Sequence, residues 1–130
     1  MKLFAVGLIA FLSFDAYAGT PEAMVILKSN CFSCHNPDKE KGGLDLTTRK
    51  SLLRGGDEGK VIIPGKAASS RLIQSLQPGA DPHMPPKDQL SPRSISALEA
   101  WVNNGVQWDD NALKNRPSPM RKQLKQLPSG

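Results

Sequence analysis

The sequence predicts an all-α domain of about four helices, and three observations carry that expectation. Ile95, Leu98, Trp101 and Val102 recur at spacings of three and four, which marks one face of a helix. Two segments, Thr20-Pro21 and Ser91-Pro92, place a proline directly after a capping residue, the pattern of a helix start. No stretch alternates apolar and polar residues as a half-buried strand does.

The first segment is not part of that domain. Lys2 supplies a positive start, Leu3 to Phe14 form an apolar run, and Ala16-Tyr17-Ala18 gives a small-x-small cleavage signal. This pattern predicts a secretory signal peptide over 1–18, cleaved after Ala18, and a periplasmic or otherwise exported product. The run is too short to span a bilayer comfortably. The domain proper is expected over 19–110.

Its first helix begins at Pro21 with Thr20 as N-cap and runs into Cys31, and Asn36 to Gly43 is a polar loop. Thr47 to Leu53 reads as a short helix stopped by Gly55-Gly56. Val61 to Gly65 is extended around Pro64, and Ala67 to Leu76 reads as a helix with Leu72, Ile73 and Leu76 inward. A proline-dense loop from Pro78 to Lys87 precedes the helix opened by Ser91-Pro92 and closed by Gly105. Residues 111–130 lack an amphipathic pattern and contain Pro117, Pro119 and Pro128. They read as a flexible tail.

The net charge of +5 is unevenly placed. Between Gly19 and Asp110 basic and acidic residues balance, eleven of each. Lys114, Arg116, Arg121, Lys122 and Lys125 in the tail are unopposed. The neutral body gives no ground for a nucleic-acid partner. The tail is expected to meet solvent, or an acidic partner or membrane surface.

Both cysteines fall in Cys31-Phe32-Ser33-Cys34-His35. This C-x-x-C-H spacing is that of c-type haem attachment. Two thiols three apart can add across two vinyl groups of one haem, and the next residue can offer its imidazole to the iron. The rival readings are weaker. A redox dithiol wants a βαβ context that is missing. A zinc site would have to use Cys31, Cys34, His35 and His83, with an awkward adjacent chelate. A disulfide across so small a loop would stabilise little. Phe32 is expected to pack on the core. One covalent haem c is the expected cofactor, and its apolar bulk would fill out the small core of an aromatic-poor chain.

An opposite ligand must come from Met24, Met84, Met120 or His83. Met24 lies in the apolar pattern of the first helix, and Met120 lies in the tail. Met84 sits in Asp81-Pro82-His83-Met84-Pro85-Pro86-Lys87, where prolines on both sides stiffen the chain. His83 stands next to Met84, so one of the two can face an iron at a time.

These pieces resemble the planctomycete-type cytochrome c domain of the cytochrome c superfamily. The matching segments are CxxCH at Cys31–His35, KGGLDL at Lys41–Leu46, Gly55-Gly56, IPGK at Ile63–Lys66, MPPK at Met84–Lys87, and ALEAWVNNG at Ala97–Gly105. Together they cover roughly Pro21 to Trp108. The resemblance implies covalent haem c with His35 as proximal and Met84 as distal ligand. It also implies a fold whose first and last helices pack across each other beside the haem, with Trp101 and Trp108 as packing residues near its edge. Two positions depart from the pattern: Asn36 stands where a glycine commonly follows the histidine, and His83 precedes the methionine. Many members are modules of larger enzymes, so their fused activities do not transfer to this chain.

Two further expectations follow. The Pro64 carbonyl is a candidate acceptor for the second ring nitrogen of His35. Arg49, Lys66 and Arg71 are candidates to pair with haem propionates. The function expected is a non-enzymatic electron carrier serving redox partner proteins. The alternative is a haem-containing enzyme subunit, or a redox or gas sensor, with a displaceable distal ligand.

Overall fold

The computed structural model describes residues 19–114. The expected leader over 1–18 and the expected tail beyond 114 lie outside the described residues, and Met120 with them. Among the described residues there is no strand, only an isolated bridge between Gly56 and Gly59. The described residues form five α-helices where about four were expected: α1 Thr20–Asn30, α2 Arg49–Arg54, α3 Arg71–Ser75, α4 Pro92–Asn103 and α5 Asp110–Lys114. Short 3₁₀ turns occupy Lys41–Gly43 and Ala67–Ser69.

The two long helices, α1 and α4, pack against each other and supply much of the core. Ala23, Met24 and Leu27 of α1 are fully buried, as are Leu98 and Val102 of α4. Met24 is thus a core residue, as its place in the pattern indicated. Ile95 and Trp101 complete the buried face of α4. Each of the larger aliphatic side chains and Met24 contributes about 1.5–3 kcal/mol through burial. The Ser91 hydroxyl accepts the Ser94 N–H at 3.1 Å and caps α4. Gly105, at φ +92°, turns the chain away at its end.

Three local expectations change. Thr20 does not cap α1: Gly19 is the cap, its carbonyl accepts the Ala23 N–H at 3.2 Å, and Thr20 is already helical. Its buried hydroxyl has no hydrogen-bond partner among the described residues. The helix expected over Ala67–Leu76 breaks at Ser70. This residue is fully buried, and its hydroxyl receives the Ile63 N–H at 2.9 Å and donates to the Lys66 carbonyl at 2.8 Å. Those bonds hold Ser70 extended and start α3 afresh.

The third change is at the expected tail. Asn111 to Lys114 continue α5, whose Ala112 and Leu113 rest on the core. Lys28 of α1 donates to the Leu113 carbonyl, so α5 lies against α1.

Candidate functional site

The turn that follows α1 is built from backbone hydrogen bonds. The Cys31 N–H donates to the Leu27 carbonyl at 2.9 Å, which continues the helix by one residue. The Cys34 and His35 N–H groups both donate to the Cys31 carbonyl, at 3.3 and 3.1 Å. This winds Cys31, Cys34 and His35 into one turn. Phe32 is partly buried against the core, as expected. Asn36 steadies the turn from the other side. Its amide donates to the Phe32 carbonyl at 2.6 Å, and its carbonyl oxygen accepts the Asp38 and Lys39 N–H groups, each at 3.0 Å. The departure from glycine at this position therefore has a structural use, which spacing alone did not disclose.

The His35 ring is oriented by Lys41, not by Pro64. Its Nδ1 lies 3.0 Å from the Lys41 carbonyl oxygen. A carbonyl only accepts, so Nδ1 carries the proton and Nε2 keeps its lone pair. Lys41 is available because its own N–H donates to the Cys34 carbonyl at 3.2 Å, folding the loop back over the motif. The Ile63-Pro64-Gly65-Lys66 turn is used elsewhere: its Gly65 N–H donates to the Val102 carbonyl of α4 at 2.8 Å.

The loop bearing Lys41 is itself clasped. The Asp57 N–H donates to the Gly42 carbonyl at 2.9 Å. A Cβ on Gly56 would lie 2.5 Å from that same oxygen, so only glycine permits this approach. The two glycine pairs of the sequence, Gly42-Gly43 and Gly55-Gly56, are thus the two halves of one contact behind His35.

Met84 enters from a second wall. Its N–H donates to the Ser75 carbonyl at the end of α3 at 2.9 Å, which seats the proline loop on that helix. Cys31, Cys34, His35 and Met84 all line one cavity of about 660 Å³. Leu44, Leu46, Val61, Leu72 and Leu76 supply apolar wall, and Pro82, Pro85 and Pro86 flank the methionine. His83 does not line the cavity. Of the three propionate candidates only Arg71 does, where it pairs with Glu58 at 2.5 Å. Arg49 instead donates to the Val106 carbonyl at 2.9 Å.

Trp101 and Trp108 pack with each other, ring centres 6.4 Å apart, and neither lines the cavity. Trp101 donates its ring N–H to the Gln107 carbonyl at 2.6 Å. Trp101 is a core residue, and Trp108 packs partly buried against the core beyond the end of α4.

The donor set fits a haem. The cavity is of cofactor size and largely apolar, and one turn presents two thiols that are not joined to each other. The lone pair at His35 Nε2 is that of an iron ligand, and a soft thioether belongs to the opposite wall. Burial pushes the Cys31 thiol up to about 11 and keeps it protonated in the absence of a ligand. No group of three or more His, Cys, Asp or Glu side chains converges as a metal site among the described residues, which leaves the zinc reading without a ligand set.

Paired thiols, an oriented imidazole and a thioether around one apolar cavity are the parts of a c-type haem protein. Residues 31–88 match the family described as Planctomycete cytochrome C. The match opens on Cys31 and closes just beyond Met84-Pro85-Pro86-Lys87, so it takes in both walls of the cavity. A domain of this family implies haem c and suggests haem-based electron transfer. No curated protein and no solved structure matches the chain.

Proposed function

We propose that this chain is an exported cytochrome with one covalent haem c, passing single electrons between redox partner proteins. The observation that carries the reading is the meeting of Cys31, Cys34, His35 and Met84 on one cavity. Haem c, when bound, supplies a ferric/ferrous couple. The chain's own residues do the rest. Cys31 and Cys34 anchor the group through thioether bonds. His35 offers Nε2, with its ring fixed by Lys41. Met84 offers its sulfur from a loop that proline stiffens and Ser75 holds. Leucine and proline walls keep water from the centre, which together with a thioether ligand raises the reduction potential. Arg71 is the group at the cavity best suited to a propionate, in exchange for Glu58. The leader expected over 1–18 supports export, and the basic tail offers a contact for an acidic partner or membrane surface.

The test is spectroscopic. Absorbance of the purified full chain is expected to stay with the polypeptide after acid–organic extraction, with one haem per chain. Cys31→Ala with Cys34→Ala is expected to release it. The ferric protein is expected to show a sulfur-to-iron charge-transfer band that Met84→Ala abolishes. Rapid carbon monoxide binding by the unaltered ferrous protein would overturn the carrier reading and favour an enzyme subunit or sensor with an open site.

A further inference from the structure

His83 and Met84 are neighbours on the same loop, and either could in principle turn toward an iron. The structure gives a specific reason why one does not. The Gln89 amide donates to the Leu76 carbonyl at 2.8 Å and to the Leu90 carbonyl at 3.2 Å. Both bonds use its nitrogen, so its oxygen is committed to the opposite side. There it lies 2.8 Å from His83 Nε2. An amide oxygen only accepts, so this contact is a hydrogen bond in the tautomer that carries the ring proton on Nε2. His83 Nδ1 in turn lies 2.9 Å from the Pro85 carbonyl. Both ring nitrogens therefore face oxygen acceptors and neither faces the cavity, although Pro82 and Met84 on either side both line it.

We propose that Gln89 is a positioning residue that selects the distal ligand: by holding the His83 ring away from the cavity, it leaves Met84 to face His35. The selection is made through backbone anchors at Leu76 and Leu90, one on each side of the proline loop. Imidazole is the stronger ligand for ferric iron and thioether the one that raises the potential, so a single exposed amide sets the electronic character of the site. This inference rests on the haem reading given above.

The test uses the full chain with its haem. The unaltered protein establishes the reference band; if it lacks that band, the reading of Met84 as ligand fails first, independently of Gln89. Given the band, Gln89→Ala is expected to weaken it and lower the midpoint potential. Adding His83→Phe to Gln89→Ala is expected to restore both. A second series removes the competition. Met84→Ala is expected to bind carbon monoxide in the ferrous state. Gln89→Ala in that background is expected to lower the affinity roughly three- to tenfold, the equilibrium factor of one hydrogen bond, as His83 takes the open position. Gln89 is exposed, so these changes leave the core intact. An unchanged band in Gln89→Ala with unchanged carbon monoxide affinity in the double variant would overturn the proposal. So would a lost band that His83→Phe does not restore, because that outcome marks plain damage to the loop.

Discussion

Asp45 is a buried carboxylate with a definite task. It sits between Leu44 and Leu46, both on the cavity wall. Burial would raise its pKa, but hydrogen bonds from the Thr47 hydroxyl and N–H and from Ser51, with the charge of Arg54, outweigh burial and hold it below its ordinary 3.8. The Thr47 bonds are 2.6 and 2.9 Å long. A carboxylate whose pKa is lowered by folding stabilises the fold fully above its unfolded value. That contribution disappears as the pH drops through the lowered folded value. Asp45→Asn is therefore expected to be less stable than the parent at neutral pH, by about 1.5–3 kcal/mol. The gap should narrow below about pH 4, as read by denaturant unfolding at several pH values. A gap that stays constant into acid would assign the loss to packing instead. The same scale explains what the sequence disclosed about the site. Cys31, Cys34 and His35 are marked by local spacing, whereas Met84 is singled out by its proline-stiffened loop together with the family resemblance. The partner of the His35 ring was out of reach, because it depends on how the loop from Asn36 to Gly43 folds back. No local pattern distinguishes the Lys41 carbonyl from that of Pro64.

At the scale of elements, the clasp between the two glycine pairs makes the clearest forecast. Gly56→Ala must displace the Gly42 carbonyl, which a new Cβ would meet at 2.5 Å. Gly42 is bonded directly to Lys41, the acceptor for the His35 ring. The substitution is expected to lower stability by about 1–3 kcal/mol and to shift the midpoint potential, since the histidine's second hydrogen bond tunes its basicity. Loss of stability with an unchanged potential would confine the clasp to a structural role. The helices themselves were mostly legible. The spacing of Ile95, Leu98, Trp101 and Val102 foretold the buried face of α4, and Ser91 its cap, because both signals are local. The break at Ser70 was hidden, because the bonds that cause it run to Ile63 and Lys66 outside the helical stretch. The short helix α5 was also missed. It has no stripe of its own strong enough to read, and it is held by what α1 offers, including Lys28.

At the scale of the whole molecule, a cavity of about 660 Å³ is large for a body of this length, where a single core stabilises weakly. Cys31→Ala with Cys34→Ala, purified without haem, is expected to melt at a markedly lower temperature than the holoprotein, followed by far-UV circular dichroism. Equal melting temperatures would mean that the helices hold the cavity open unaided. The all-α class was readable from helical spacing and the lack of alternating strands, whereas the pairing of the first helix with α4 was implied by the family resemblance and is seen in the packing of the two. The two walls of the cavity are nevertheless built in unlike ways. The His35 wall closes within a few residues, through bonds among Cys31, Cys34, His35 and Lys41, whereas Met84 reaches the cavity only after α2 and α3 have been laid down. Loop closure over short separations is cheap in chain entropy, and over long ones it is not. The thiol and imidazole side is therefore the part of the site with the lower closure cost, and it would hold a haem with the fewest long-range contacts in place. It also follows that, under mild denaturant, the sulfur should let go well before the imidazole does.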